Sequence, residues 1–259
     1  MTDYTIVIPT RWRASRFPGK PLHPLNGRAM VLHTLDRARE SAAVEVVVAT
    51  DDARIEAVCR AADCDVQMTS SAHENGTQRI AEVAQRRGWD DSRVIVGLQG
   101  DEPATPPEWL DRLADNLNAR PEADMATLCT AVTDEATYRD PMRVKVLMDA
   151  AGMALYFSRA PVPHRRDAQT DGGFPESWLH VGIYAYRRAY LARYGALSPS
   201  PAEREEMLEQ LRVLHHGGRI HVDAVPAGSA HGVDRIEDVP AAERVLAALA
   251  ARAGRDADG

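Results

Sequence analysis

Three observations predict an α/β protein with a mostly parallel sheet flanked by helices. Short apolar runs alternate with helix-period segments through the first half of the chain. Charged and polar residues gather directly after those apolar runs, at strand ends where α/β sheets bind ligands. The 259 residues, 44% hydrophobic and 27% charged, suffice for one large core, or a core with a smaller lobe.

The elements follow in order. Tyr4 to Ile8 is β-rich and stops at Pro9, so a strand is expected over 4–8. Helical periodicity is then expected over 29–41, 52–61, 77–87 and 106–118, and strands over 44–49, 64–68 and 93–98; this is the βαβ rhythm of a parallel sheet. After Met125 the pattern loosens into strand-like runs at 124–132, 143–148 and 153–157. A polar stretch from His164 to Ser177, with two glycines and no periodicity, reads as a mobile loop or an intersubunit arm. A strand near 180–186, a helix near 203–216, a strand near 219–225 and an alanine-rich helix over 236–253 close the chain, with a frayed tail from Gly254. No internal repeat is visible.

A net charge of −7 argues against a nucleic-acid groove, and no apolar run approaches the ~20 residues of a membrane span. The N-terminus enters a strand without a charged leader and apolar segment, so a cytoplasmic protein is expected. Cys59, Cys64 and Cys129 lack metal-ligand spacing and read as ordinary thiols. Lys20 and Lys145 are the only lysines, whereas arginine and alanine are abundant, as in a high-GC genome. An ammonium and a guanidinium are not interchangeable at a phosphate site, which is a reason for keeping Lys20; Lys145 is equally readable as a strand-edge charge.

The segment Ile6 to Leu22 gathers Arg11, Arg13, Arg16 and Lys20 behind the first strand. It is no Walker loop, since G-x-x-x-x-G-K-[ST] is absent and only Gly19 supplies a bare backbone position. Such a loop suits a polyphosphate neutralised by side chains, although a solvated arginine-rich surface loop has the same composition. Downstream, Gln99-Gly100-Asp101-Glu102-Pro103 follows one strand, and Gly232-Val233-Asp234 follows another. Two carboxylates at strand ends suggest a metal, with helix capping a competing role for Asp234.

With these blocks the chain resembles the CMP-Kdo synthetases, the 3-deoxy-manno-octulosonate (Kdo) cytidylyltransferases, from about Thr5 to about Val245. Further matching blocks include Val48-Ala-Thr-Asp51, Gly76-Thr-Gln-Arg79, Met125-Ala-Thr-Leu128, Ala154 to Arg159, His180 to Tyr184 and Met207 to Leu214. The resemblance implies a Rossmann-like nucleotide-diphospho-sugar transferase fold over 1–253. Its nucleotide part would span about 1–123 and 218–253, and a smaller acceptor and dimerisation lobe about 124–217. It implies CTP, Mg²⁺ and a sugar-acid acceptor, a homodimer, and a product that feeds lipopolysaccharide. Arg11, Ser15, Arg16 and Lys20 would contact the triphosphate, with Arg16 and Lys20 stabilising the departing pyrophosphate, and Arg79 and Gln99 would lie beside the nucleotide. Asp101 and Asp234 would hold the metal. Arg159 would grip the acceptor carboxylate while His180, Tyr184, Glu209 and Gln210 meet hydroxyls.

Three positions depart from the family pattern near the expected cleft: Gly97 in place of Asn, Gln78 in place of an acid, and Met142-Arg143 in place of an Asn-containing segment. These keep open a related acceptor, phosphonoformate, used by similar cytidylyltransferases of phosphonate biosynthesis. A nucleotide-binding regulator without turnover would need neither Asp101 nor Asp234, and the Gly-x-Gly-Thr-Arg opening of sugar-1-phosphate nucleotidyltransferases is absent.

Overall fold

The structure, a computed structural model, describes residues 2–13, 17–166, 174–226 and 232–257. The first half runs β1 (Tyr4–Thr10), a 3-10 turn at Lys20–Leu22, the short strands β2 (Pro24–Leu25) and β3 (Arg28–Ala29), α1 (Met30–Arg39), β4 (Glu45–Thr50), α2 (Ala53–Ala61), β5 (Asp65–Met68), α3 (Gly76–Arg87), β6 (Val94–Gly97) and α4 (Pro107–Asn118). The second half runs β7 (Met125–Ala131), α5 (Glu135–Arg139), β8 (Lys145–Met148), β9 (Ala154–Ser158), β10 (Trp178–Arg187), α6 (Arg188–Tyr194), α7 (Pro201–Glu206), α8 (Gln210–His215), β11 (Ile220–Ala224), a 3-10 turn at Ile236–Asp238 and α9 (Val239–Ala257).

The main sheet has the order β11-β7-β10-β6-β1-β4-β5, extended by β8 on β10 and β9 on β8. Strands β6, β1, β4 and β5 are parallel, β10 is antiparallel to both β6 and β7, and β11 returns parallel to β7. The mostly parallel α/β sheet expected from the sequence is therefore present. Its two faces follow the period-2 alternation of strand side chains. Ile6, Ile8, Val48, Val94 and Val96 pack under α1, α2 and α4, while Val7, Val47, Ala49 and Ile95 pack under α3 and the second-half helices. A third apolar cluster joins Leu25 and Met30 to Val233, Ala242 and Leu246, and so docks α9 beside the first loop. No helix among the described residues is long and apolar enough to cross a membrane.

The structure corrects several boundaries. Strand β1 does not stop at Pro9 but continues to Thr10, paired with β4 to its end. The register with β6 ends at Val7, so the missing N–H of Pro9 costs no ladder bond on that side. The expected helix 203–216 is two helices, broken where Met207 takes a left-handed φ of 53°. Tertiary ties explain the break: the Glu206 carboxylate accepts from Ser158 Oγ (2.7 Å) and Arg159 N (2.8 Å), and Glu203 pairs with Arg212 across the two helices. Helices α5 and α6 lie in stretches with no expected element. The final helix runs to Ala257, past the expected frayed start at Gly254. Of the polar segment 164–177, residues 167–173 lie outside the described residues.

Candidate active site

The chain enters the sheet at β1, moves outward through β4 and β5, then crosses back to β6 on the other side of β1. The carboxyl ends of β1 and β6 thus form a topological switch point, where α/β sheets open a crevice. The two strand ends are held close, with Leu98 N donating to Val7 O (3.1 Å) and Gly100 N to Pro9 O (3.3 Å). Gly100 permits this approach, since a Cβ there would lie 2.9 Å from Thr10 Cβ. Opposite stands the amino end of α3, capped by the Asn75 side chain, which accepts from Gln78 N (2.9 Å). This end carries the positive pole of the helix toward the cleft. Gly76 lets the helix start lie against the Gln99 amide, because a Cβ would sit 2.9 Å from Nε2.

A cavity of about 170 Å³ at this point is lined by residues that include Arg11, Lys20, Arg79, Gln99 and Asp101. Four of the residues expected at a nucleotide, Arg11, Lys20, Arg79 and Gln99, therefore share one cleft with Asp101 of the expected metal pair. Arg11 is exposed and its guanidinium approaches Glu74 O at 3.4 Å. Arg79 is buried, donating to Asp51 Oδ2 (3.1 Å) and to the Thr69 hydroxyl. Ser15 and Arg16 lie outside the described residues.

Lys20 is central. Its ammonium donates to the Asp101 carboxylate and to Val233 O (2.9 Å). Val233 N in turn donates to Asp101 O (2.9 Å), and its side chain is buried in the α9 cluster. The distant Gly232–Asp234 segment is thereby fastened beside Asp101. Glu102, quoted in the motif but given no role by the sequence, completes the group. A Cβ on Gly232 would meet Glu102 Oε1 at 2.5 Å, so the glycine admits the carboxylate. Burial, then repulsion from Asp101 and Asp234, pushes the Glu102 carboxyl up to about 8, with Lys20 opposing. The capping role left open for Asp234 falls instead to Asp238, whose Oδ2 accepts from Asp234 N (2.9 Å) and Arg235 N (2.8 Å).

Asp101 and Asp234 suit a divalent cation: the donors are hard oxygens, their negative charge is concentrated enough to raise Glu102, and a lysine ammonium already rests on Asp101. No cluster of three histidine, cysteine or acidic ligands suited to a metal occurs among the described residues. Two carboxylates completed by substrate phosphates are what Mg²⁺ sites at nucleotides use.

The second group lies along β10 and the start of α8. His180 and Tyr184 share a strand face with ring centroids 5.4 Å apart, and Phe157 stacks edge-on against His180 at 4.8 Å. Between Val181 and Tyr184 the register with β7 shifts, and the Thr127 hydroxyl occupies this bulge, 2.9 Å from His180 Nε2 and 2.8 Å from Ile183 O. Burial lowers His180 to about 3, so the ring is neutral at physiological pH and can donate from Nε2 to Thr127. Tyr184 is raised by burial and then by Glu209. Glu209 Oε1 accepts from Thr77 Oγ1 (3.2 Å), which also bonds Tyr186 Oη (2.9 Å). Burial carries the Glu209 carboxyl up to about 7, and Glu203 adds repulsion. Glu209 Oε2 and Gln210 Nε2 are buried polar atoms without partners. Each such orphaned group calls for a partner, and a polar ligand seated here would supply one. Arg159 is more occupied than the sequence implied, with Nε donating to Glu206 O (2.7 Å) and Nη1 to Pro141 O (3.0 Å).

Thr77 and Thr127 belong to the blocks Gly76-Thr-Gln-Arg79 and Met125-Ala-Thr-Leu128, yet no rule of spacing marks them out. Of the three departures, only Met142-Arg143 borders the carboxylates: Arg143 and Asp234 line one cavity of about 350 Å³. Gly97 turns instead toward packing, where a Cβ would lie 2.6 Å from Ile80 Cδ1, and Gln78 Oε1 accepts from Glu74 N (2.9 Å).

Comparisons with known proteins bear on the family and the fold. The family model described as cytidylyltransferase matches residues 5–220. The 3-deoxy-manno-octulosonate cytidylyltransferase of Nitrosococcus oceani is 46% identical over 250 residues, covering 94% of this chain and 96% of that protein. Its counterpart from Halorhodospira halophila is 49% identical over 248 residues, with coverage of 94% and 96%. A solved structure of CMP:2-keto-3-deoxy-manno-octonic acid synthetase complexed with CTP superposes with a TM-score of 0.88 at 38% identity, over 96% of this chain and 100% of that one. By sequence over nearly its whole length and by fold, the chain belongs to the cytidylyltransferase family, on the branch of the 3-deoxy-manno-octulosonate cytidylyltransferases.

Proposed function

We propose that this nucleotidyltransferase joins CMP, taken from CTP, to Kdo and releases pyrophosphate. The observation that carries the reading is the meeting of Lys20, Asp101 and Asp234 at the β1/β6 strand ends. Nucleotidyl transfer asks a protein chiefly to align the attacking and leaving oxygens and to neutralise phosphate charge. Arg11, Lys20 and the amino end of α3 supply that charge around the cleft, and Ser15 and Arg16 would add contacts to the triphosphate. Gln99 and Arg79 flank the nucleotide. Asp101 and Asp234 would hold Mg²⁺, which when bound would supply positive charge against that of the phosphates. Arg159 takes the acceptor carboxylate, while His180, Tyr184, Glu209 and Gln210 meet its hydroxyls. The acceptor oxygen attacks the α-phosphorus directly, with no covalent enzyme intermediate.

The protein works in the cytoplasm, where CTP is available. It acts as a homodimer, a reading supported by the exposed Leu155 and Tyr156 on the outer strand β9. Light scattering tests this, and a monomer at micromolar concentration would refute it.

The deciding experiment is pyrophosphate release with CTP, Mg²⁺ and a panel of Kdo, its analogues and phosphonoformate. Buried polar groups left unpaired reject a poor acceptor by up to about 10⁴- to 10⁵-fold, so Kdo should be used and phosphonoformate very poorly. The reverse order would reassign the acceptor and make Arg143, beside Asp234, the group that accommodates the phosphonate. No turnover with any acid acceptor would refute the reading.

A further inference from the structure

Lys145 has no solvent exposure at all, and it opens β8 opposite Ser158 of β9 and Leu179 of β10. Its ammonium donates to three backbone carbonyls: Asp140 O at 2.9 Å, Arg143 O at 2.6 Å and Arg159 O at 2.8 Å. An ammonium has three donors, and all three are used. Three oxygens converging on one point suit a compact ammonium, where a planar guanidinium would need more room. This accounts for a lysine in a chain that otherwise uses arginine almost everywhere.

The three carbonyls are not scattered. Two belong to the segment 140–143, which has no helix or strand of its own, and the third to Arg159. Arg159 returns the tie by donating Nη1 to Pro141 O at 3.0 Å. The backbone beside Lys145 is joined to the acceptor strand too, with His180 N donating to Val144 O at 2.8 Å. A buried charge is costly, and here carbonyl dipoles and the Asp140 and Glu206 carboxylates offset part of the burial that lowers this lysine. Such an arrangement fixes a loop more than it stabilises a core.

We propose that Lys145 is a positioning residue for the acceptor: its ammonium fastens the 140–143 segment to the backbone of Arg159, and so sets where the Arg143 and Arg159 guanidinium groups meet the acceptor. The inference rests on Arg159 facing the acceptor, as in the function proposed above, and adds Arg143 as a second cation carried by the fastened segment.

Two measurements test it. In steady-state kinetics with CTP and Kdo, Lys145→Gln should raise the acceptor KM roughly tenfold or more, since small misplacements at a site are costly, while the CTP KM stays within about twofold. Arg159→Gln should do likewise, and the double variant should be no worse than the worse single, because both act through one arrangement. Equal rises in both KM values, or fully multiplicative effects, would overturn the proposal. If Arg159→Gln leaves the acceptor KM unchanged while Lys145→Gln raises it, the role given to Arg159 fails and Lys145 acts through Arg143.

The second measurement uses the unaltered protein and so survives misfolding of the variants. Acetylation of Lys145, followed by peptide mass spectrometry, requires local opening of the 140–143 segment. Kdo at ten times its Kd should slow that opening about tenfold, whereas CTP should protect only Lys20. A Lys145 acetylation rate unaffected by Kdo would overturn the proposal.

Discussion

Glu209→Gln should stabilise the fold at alkaline pH while impairing use of the acceptor. The carboxyl is hemmed in by Thr77 and the tyrosines of β10 and α6, one oxygen has no partner, and burial carries it from its ordinary 4.5 to about 7. The unfolded chain releases this proton near 4.5, whereas the folded protein keeps it to about 7. Between those values the folded state binds more protons, so the contribution of this group to stability falls as pH rises through the window and stays low above it. The whole displacement is worth about 3 kcal/mol. That is an upper figure, because solvent still reaches part of the residue. For a chain of this size, about 3 kcal/mol corresponds to roughly 6–12 °C of melting temperature. Glutamine keeps an oxygen to accept the Thr77 hydroxyl, bonded at 3.2 Å in the wild type, and cannot ionise. Thermal melts at pH 4.5 and pH 8.5 should therefore show the variant level with the wild type at the lower pH and several degrees above it at the higher. A gap of equal size at both pH values, or a variant less stable at pH 8.5, would refute the argument.

Asp101→Asn or Asp234→Asn should each lower turnover by about 10²-fold or more; since Asp238 does the local capping, wild-type activity in Asp234→Asn would remove that residue from the reaction. Glu203→Gln should cost roughly 3–5 kcal/mol in urea unfolding, because it leaves Arg212, whose side chain is 4% exposed, without its carboxylate partner. Gly97→Ala should cost about 1 kcal/mol, the low end for overpacking, because the new methyl meets only the end of the Ile80 side chain, with acceptor preference unchanged. Any inflection of the acceptor KM near pH 7 should belong to Glu209 and survive in His180→Gln, since His180 is already neutral there; a step that His180→Gln removes would contradict its burial.

The parallel half of the sheet was legible because its strands are short apolar runs bounded by turns, and because alternation along β1, β4 and β6 serves two buried faces at once. That Arg11, Lys20 and the Gln99-Gly-Asp motif meet in one cleft was legible too, since they follow directly on strands. What failed was local pattern overruled by tertiary contact. No glycine or proline marks the break at Met207; it is imposed by Glu203 and Glu206, which reach Arg212, Ser158 and Arg159. Glu102 escaped notice because its character comes from Asp101 beside it and Asp234 far along the chain, and only folding brings the latter near. Thr77 and Thr127 are common residues whose importance lies wholly in what they touch.

The placement of His180 and Tyr184 on β10 limits how the protein can work. That one strand is hydrogen-bonded to β6, which leads into the Gln99–Asp101 turn, and also to β7 and β8. A hinge across β10 would have to tear this ladder, so on the function proposed above the separation of the two substrates is set when the chain folds, in the manner of a fixed jig. On the same reading, discrimination lies in the loops and side chains around a rigid gauge, and a shorter or longer acceptor would fail because its hydroxyl stops at the wrong distance from the phosphorus.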